Sequence, residues 1–193
     1  VITLRRARPA DAVAIGAVHV AAWRSTYPGI LPDDYLAGLS VPRQAAYYEG
    51  SIRAGGGVFV ATASGLDVPA GSGARIIGFA TAGRARGGLF GGHRLNRPLG
   101  EGEIETLYVL DDWRDRGLGR RLMRATAGHL AEVGCASVFV WVLRDNPSRW
   151  FYQRLGGAAV AESTTRVAGR DLIQTAFVWA PIGKLLQASP QAS

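Results

Sequence analysis

Between Gly102 and Val133 the chain reads GEIETLYVLDDWRDRGLGRRLMRATAGHLAEV, and this stretch constrains the fold most. Ile104–Val109 is an alternating, β-rich segment, and Leu110–Asp112 turns the chain. Arg114-x-x-Gly117-x-Gly119 comes next, and a long apolar-periodic segment opens directly behind it. The order is strand, glycine-bearing loop, helix. Such a junction gathers unpaired backbone N–H groups and the positive end of a helix at one point, which suits a phosphate or pyrophosphate.

The elements around this junction predict an α/β fold built on one mixed sheet. The helix from Leu118 is expected to bury Leu118, Leu122, Ala125, Leu130 and Val133, with His129 inside the stripe as a structural residue and Gly134 as its stop. Cys135–Leu143 is almost continuously apolar, as in a strand covered on both faces. Together with the strand at 103–109 it makes a βαβ unit with a parallel pair.

Upstream, Ile2–Leu4 reads as an edge strand and Ala12–Trp23 as a helix with Ile15, Val18 and Ala22 on one face. A second helical stretch starts at Pro32-Asp33-Asp34, and another runs from Pro42 to about Ile52. Val58–Ala63 and Arg75–Ala82 read as antiparallel neighbours joined by a Gly/Pro/Ser loop. Gly83–Gly102, with Leu89, Phe90 and His93, is long for a connection. Two readings stay open for it, a binding loop and a plain surface insertion. Downstream, Ser148–Leu155 reads as a helix, and Ala158–Val167 with Leu172–Ala180 as a closing antiparallel pair. From Pro181 periodicity is lost, so 1–180 is expected to form the domain and 181–193 a frayed tail.

Composition narrows the classes. The chain has 193 residues, 48% hydrophobic and 19% charged, as in a globular protein rather than a disordered one. No apolar run approaches the roughly 20 residues of a membrane span. Val1–Arg5 reads as an opening strand rather than a signal peptide. Cys135 is the only cysteine, which excludes an intrachain disulfide and agrees with a cytoplasmic protein. The net charge of +7 raises nucleic acid as a partner. However, the arginines are spread along the chain, and Arg114, Arg116, Arg120, Arg121 and Arg124 crowd the glycine loop, where a small polyanion accounts for them. No metal site is expected, since His19 and His93 have no partner at ligand spacing.

Arg114-Asp-Arg-Gly117-Leu-Gly119 resembles the (Q/R)-x-x-G-x-(G/A) signature of the GNAT superfamily, the acyl-CoA-dependent N-acetyltransferases. Asn146…Phe151-Tyr152-Gln153-Arg154-Leu155-Gly156-Gly157 is similar to that family's N-x-x-(A/R)-x-x-F-Y-x-x-x-G-F region. Ile2–Arg5, Asp11, Trp23 and Tyr27 are similar to its opening strand and paired helices. Gly157 departs from the pattern, which has an aromatic or apolar residue there. A P-loop fits worse because Arg120 stands where it needs Lys, and a Rossmann fingerprint lacks its third glycine.

The resemblance covers about 1–180 and implies a bent mixed sheet flanked by helices. It further implies acetyl-CoA as cosubstrate, a primary amine as acceptor, and direct attack without a covalent enzyme intermediate. The implied cofactor contacts are Leu107, Tyr108, Val109, Arg114, Arg116, Gly117, Leu118, Gly119, Arg120, Arg121, Asn146 and Tyr152. Within this set the Leu107 amide would serve the oxyanion, and Tyr152 would protonate the departing thiolate. Glu103 and Glu105, two apart on a strand, should point to one face with Leu107 and Val109. Glu105 is favoured as the general base over Glu103. Trp23, Tyr27 and Tyr35 are placed at the acceptor pocket, or else in the core of the first helices. Family members often pair as dimers. A CoA-binding sensor without catalysis is the alternative reading.

Overall fold

A computed structural model of the chain describes residues 1–71, 73–85 and 99–189. Of the stretch read as either a binding loop or a plain insertion, 86–98, with Leu89, Phe90 and His93, lie outside the described residues. Seven strands form one mixed sheet: β1 (Ile2–Arg6), β2 (Gly57–Ala63), β3 (Arg75–Arg84), β4 (Gly102–Val109), β5 (Val138–Leu143), β6 (Ala158–Val167) and β7 (Arg170–Trp179). Their order across the sheet is β1-β2-β3-β4-β5-β7-β6. Every neighbouring pair is antiparallel except β4 and β5.

On one face lie α1 (Ala12–Thr26), α2 (Asp33–Ala37) and α3 (Val41–Arg53). Ile15, Val18 and Tyr48 from α1 and α3 pack on Val58, Val60, Ile76 and Phe79 of β2 and β3. On the other face α4 (Leu118–Glu132) crosses β2, β3 and β4. Its buried set is Leu118, Leu122, Met123, Thr126, Ala127 and Leu130. The predicted Ala125 and Val133 lie off this stripe, and Val133 is exposed. The reason is rotation. A stripe that begins at Leu118 and Leu122 continues by fours to Thr126 and Leu130, and Met123 and Ala127 widen it. His129 sits at the margin, edge-on to Phe59, with Arg6 Nη2 2.6 Å from its Nδ1.

The helix ends as expected at Gly134, which has φ +90°. The Gly134 N–H donates to Ala131 and the Cys135 N–H to Leu130, a Schellman closure. The next strand starts three residues later than the sequence suggests, at Val138, although Cys135 is buried. The short helix α5 (Arg149–Arg154) follows β5.

The expectation of a frayed tail is corrected in part. Gly183–Ala188 forms a helix, α6, with Leu185 fully buried and Ile182 nearly so. Two leucines spaced within a six-residue helix are too short a pattern to read as periodic. Their burial comes from docking on α4, where Arg124 donates to the Leu186 and Ser189 carbonyls.

Two irregularities shape the centre of the sheet. First, β4 carries a bulge. Thr81 pairs with Thr106 and Ala82 with Ile104, so Glu105 has no counterpart on β3. Ile104 therefore packs under α4 with Met123 and Leu130, as Leu107 does, although the two are an odd number of positions apart. Glu103 and Thr106 are turned to the opposite face. Second, β4 and β5 pair only at Gly102↔Val138 and Glu103↔Phe139, and then diverge. By contrast β5 pairs with β7 along its whole length.

Candidate active site

The divergence of β4 and β5 opens a cleft of about 700 Å³. Leu107, Tyr108 and Val109 line one wall, Asn146, Pro147, Ser148 and Phe151 the other, and Gly117, Leu118, Gly119 and Arg120 its mouth. The Leu110 N–H donates to Ile77 of β3. Backbone groups alternate along a strand, so the Leu107 and Val109 amides point the other way, into the gap.

The mouth is built from backbone. Asp115 has φ +60° and Gly117 φ +74°, and Gly117 is the residue before the first turn of α4. Nothing lies within 4 Å of where a Cβ at Gly117 would stand, so its left-handed dihedral is what calls for glycine. At Gly119 the constraint is contact: a Cβ there would stand 3.2 Å from Cζ of Phe151. No side chain caps the helix. The Arg121 N–H donates to the Gly117 carbonyl, which leaves the Leu118, Gly119 and Arg120 amides ahead of the intrahelical ladder. They open a helix of fifteen aligned residues.

Not every predicted residue converges here. Arg114 lines the cleft, ion-pairs with Asp111 at 3.0 Å and donates to Thr26 Oγ1 at 3.3 Å. Arg116 instead stacks its guanidinium over Trp113, 4.7 Å from the ring centre, and neither it nor Arg121 is among the lining residues. Asn146 is buried. Its Nδ2 donates to Tyr27 Oη at 3.2 Å and its Oδ1 accepts from the Ser148 N–H at 2.9 Å. It thus serves the turn and also reaches the cleft.

Tyr152 is 5% exposed and packs between Phe151, Phe177 and Trp179, behind the lining residues. Burial holds its phenol far above the usual range, so it stays protonated. Gly157 has a packing reason. A Cβ there would stand 2.7 Å from Cζ2 of Trp179, so the indole, anchored by its N–H to the Leu155 carbonyl at 2.9 Å, fills that space.

Of the three aromatics placed at the acceptor pocket, Tyr27 lines the cleft, Trp23 stacks on His19 and meets Tyr27 edge-on, and Tyr35 stands on α2 outside the lining. The sequence reading missed Ala22, Ser25 and Thr26 at the end of α1, and Ser148, Phe151 and Arg154. The signal for the first group was their spacing, which puts them beside Trp23 on one helical face.

The carboxylates also differ from expectation. Because of the bulge, Glu103 does not share a face with Leu107 and Val109. It points to the α1/α3 side, where Glu105 Oε1 also comes near Gly83. Glu103 is 9% exposed. Burial, and then the Glu105 charge, raise its pKa from 4.5 to about 7. Among the described residues no group of His, Cys, Asp and Glu could hold a metal ion, and no helix is long and apolar enough to cross a membrane.

The chain as a whole is similar to known proteins. The model of the FR47-like protein family matches residues 88–167. YuaI of Bacillus subtilis (strain 168), named an uncharacterized N-acetyltransferase, is 34% identical over 185 residues, covering 95% of this chain and 96% of YuaI. The chain belongs to the GNAT superfamily of N-acetyltransferases. Solved GNAT structures match its fold. NAA60 of Arabidopsis thaliana, in complex with a bisubstrate analogue, has a TM-score of 0.67 at 21% identity, covering 93% of this chain and 99% of that one. yncA of Salmonella typhimurium, with its cofactor acetyl-CoA, gives 0.64 at 22%, covering 93% of each chain. The PaiA N-acetyltransferase of Thermoplasma acidophilum, in complex with coenzyme A, gives 0.62 at 16%, covering 91% and 98%.

Proposed function

We propose that this GNAT protein transfers an acetyl group from acetyl-CoA to a primary amine by direct attack within a ternary complex. The observation that carries the reading is the β4–β5 gap ending on the uncapped start of α4. A long thioester with a diphosphate needs that combination. It takes one end laid along free strand backbone and the other against amides that carry partial positive charge. The acetyl-CoA and coenzyme A bound to yncA and PaiA support the choice of cosubstrate.

In this reading the Leu118, Gly119 and Arg120 amides, with the Arg114 and Arg120 side chains, hold the diphosphate. The main chain of Leu107–Val109 and the side chain of Asn146 hold the pantetheine arm. The Leu107 amide donates to the oxygen on which charge develops. Tyr152, neutral at working pH, gives its proton to the departing thiolate. The acceptor ammonium must first lose a proton. Burial raises the Glu103 carboxyl to about 7, and a base poised there is both free and basic enough. The base is therefore assigned to Glu103, with Glu105 holding its pKa up.

The test is a thiol-release screen with acetyl-CoA against a diverse amine library. Release with at least one amine is expected. In Tyr152→Phe, turnover should fall by more than acetyl-CoA affinity does. Acetyl-CoA bound without release to any amine would instead favour a sensor.

A further inference from the structure

The sheet face that carries α1 and α3 is covered unevenly. Both helices lie over β2, β3 and β4. The chain around α2 covers only a far corner, where Tyr27, Leu31 and Leu36 meet Leu143 and Leu172. Between these patches stands Trp141 in the middle of β5. Its neighbours Val140 and Val142 belong to the core under α4, so alternation turns Trp141 to the α1/α3 side. It is half-buried.

Strand order brings this indole to the edge of the β4–β5 gap. Pairing of β4 with β5 stops at Glu103↔Phe139. Two residues further along each strand, past the last paired position, come Glu105 and Trp141 on the two sides of the opening gap. Glu103 adjoins them on the same face. It is nine-tenths buried, and among the described residues no hydrogen bond or ion pair reaches it. A buried carboxylate beside a second carboxylate is costly unless a cation comes to it.

Resting on the proposed transfer, we infer that Trp141, Glu103 and Glu105 form the acceptor subsite, and that it takes primary alkylammonium compounds with an apolar chain and no anionic group beside the nitrogen. The indole face attracts an ammonium group and covers the first methylenes of its chain. The two carboxylates balance its charge. A carboxylate on the acceptor's own α-carbon would be repelled by both.

The matched probes are n-pentylamine, norleucine amide and norleucine, which share a chain and differ only beside the nitrogen. Binding of each to the protein saturated with CoA is measured by calorimetry, and thiol release from acetyl-CoA is measured separately. n-Pentylamine and norleucine amide should bind at least tenfold more tightly than norleucine. Trp141→Ala should weaken n-pentylamine roughly tenfold and leave CoA affinity unchanged, while Trp141→Phe, which keeps an aromatic face, should recover part of the loss. Norleucine bound as tightly as its amide, or n-pentylamine affinity unchanged in Trp141→Ala, would overturn the subsite even if thiol is released. Trp141-dependent amine binding without thiol release would uphold the subsite and remove the transfer reading instead.

Discussion

The helices α3 and α4 begin in opposite ways. At α3, Ser40 accepts a hydrogen bond from the Arg43 N–H, and Pro42 occupies a first-turn position that needs no donor. At α4, Gly117 stands before the first turn in a left-handed conformation and offers no side chain. One start is closed by the chain itself, and the other is left open toward a cleft. Glu103 repeats the second pattern, as a carboxylate disfavoured by burial and by the Glu105 charge. Between these two helices, the start that only holds the fold is closed by the chain, and the start that faces the β4–β5 gap is left for a ligand to complete.

Glu103→Gln should break this contrast most strongly, in two directions at once. Turnover with a good amine should fall about a hundredfold, and the acidic limb of the pH–rate profile near pH 7 should disappear with it. Stability should rise. The folded-state pKa lies above the ordinary 4.5, so in the wild type the penalty is absent below pH 4.5, grows toward about 7 and is complete above that. The variant should therefore be more stable by about 3 kcal/mol at pH 8 and no more stable at pH 4. Denaturant melts at the two pH values check this. If only Glu105→Gln flattens the acidic limb, the base has been assigned to the wrong carboxylate.

Gly117→Ala should come next. The added methyl meets nothing, so the cost is the left-handed backbone alone, about 1 kcal/mol. Relaxing that strain would re-aim the amides, and acetyl-CoA affinity should fall roughly tenfold. Unchanged affinity by calorimetry would detach Gly117 from cosubstrate binding. Ser40→Ala should have the smallest effect. It should cost about 1 kcal/mol of stability in denaturant melts and leave acetyl-CoA affinity untouched. A change in affinity there would erase the distinction between the two helix starts.

Much of this was legible in the sequence because it is written in local periodicity and punctuation. The β4-loop-α4 junction, the Gly134 stop and the buried strand after it each depend on residues close together in the chain. What was not legible depends on register between distant segments. The bulge at Glu105 arises from pairing with β3, so alternation counted along β4 alone assigned Glu103 to the wrong face. The same holds for Trp141, which reads as one more apolar residue in VFVWVL, and for α6, whose short helix gains order only against α4. Tyr152 is a mixed case. Its place after Phe151 was readable, and its depth among Phe177 and Trp179 was not.

The unmatched residue in β4 makes substitution and deletion at position 105 two different experiments. Replacing Glu105 by alanine would remove one negative charge and keep the strand's phase. Excising it would close the bulge and leave Ile104 and Leu107 under α4 with Glu103 and Thr106 opposite, because these residues already alternate once position 105 is skipped. Loss of one residue at 105 would thus be borne by the strand, whereas loss of one paired neighbour would turn everything upstream to the other face.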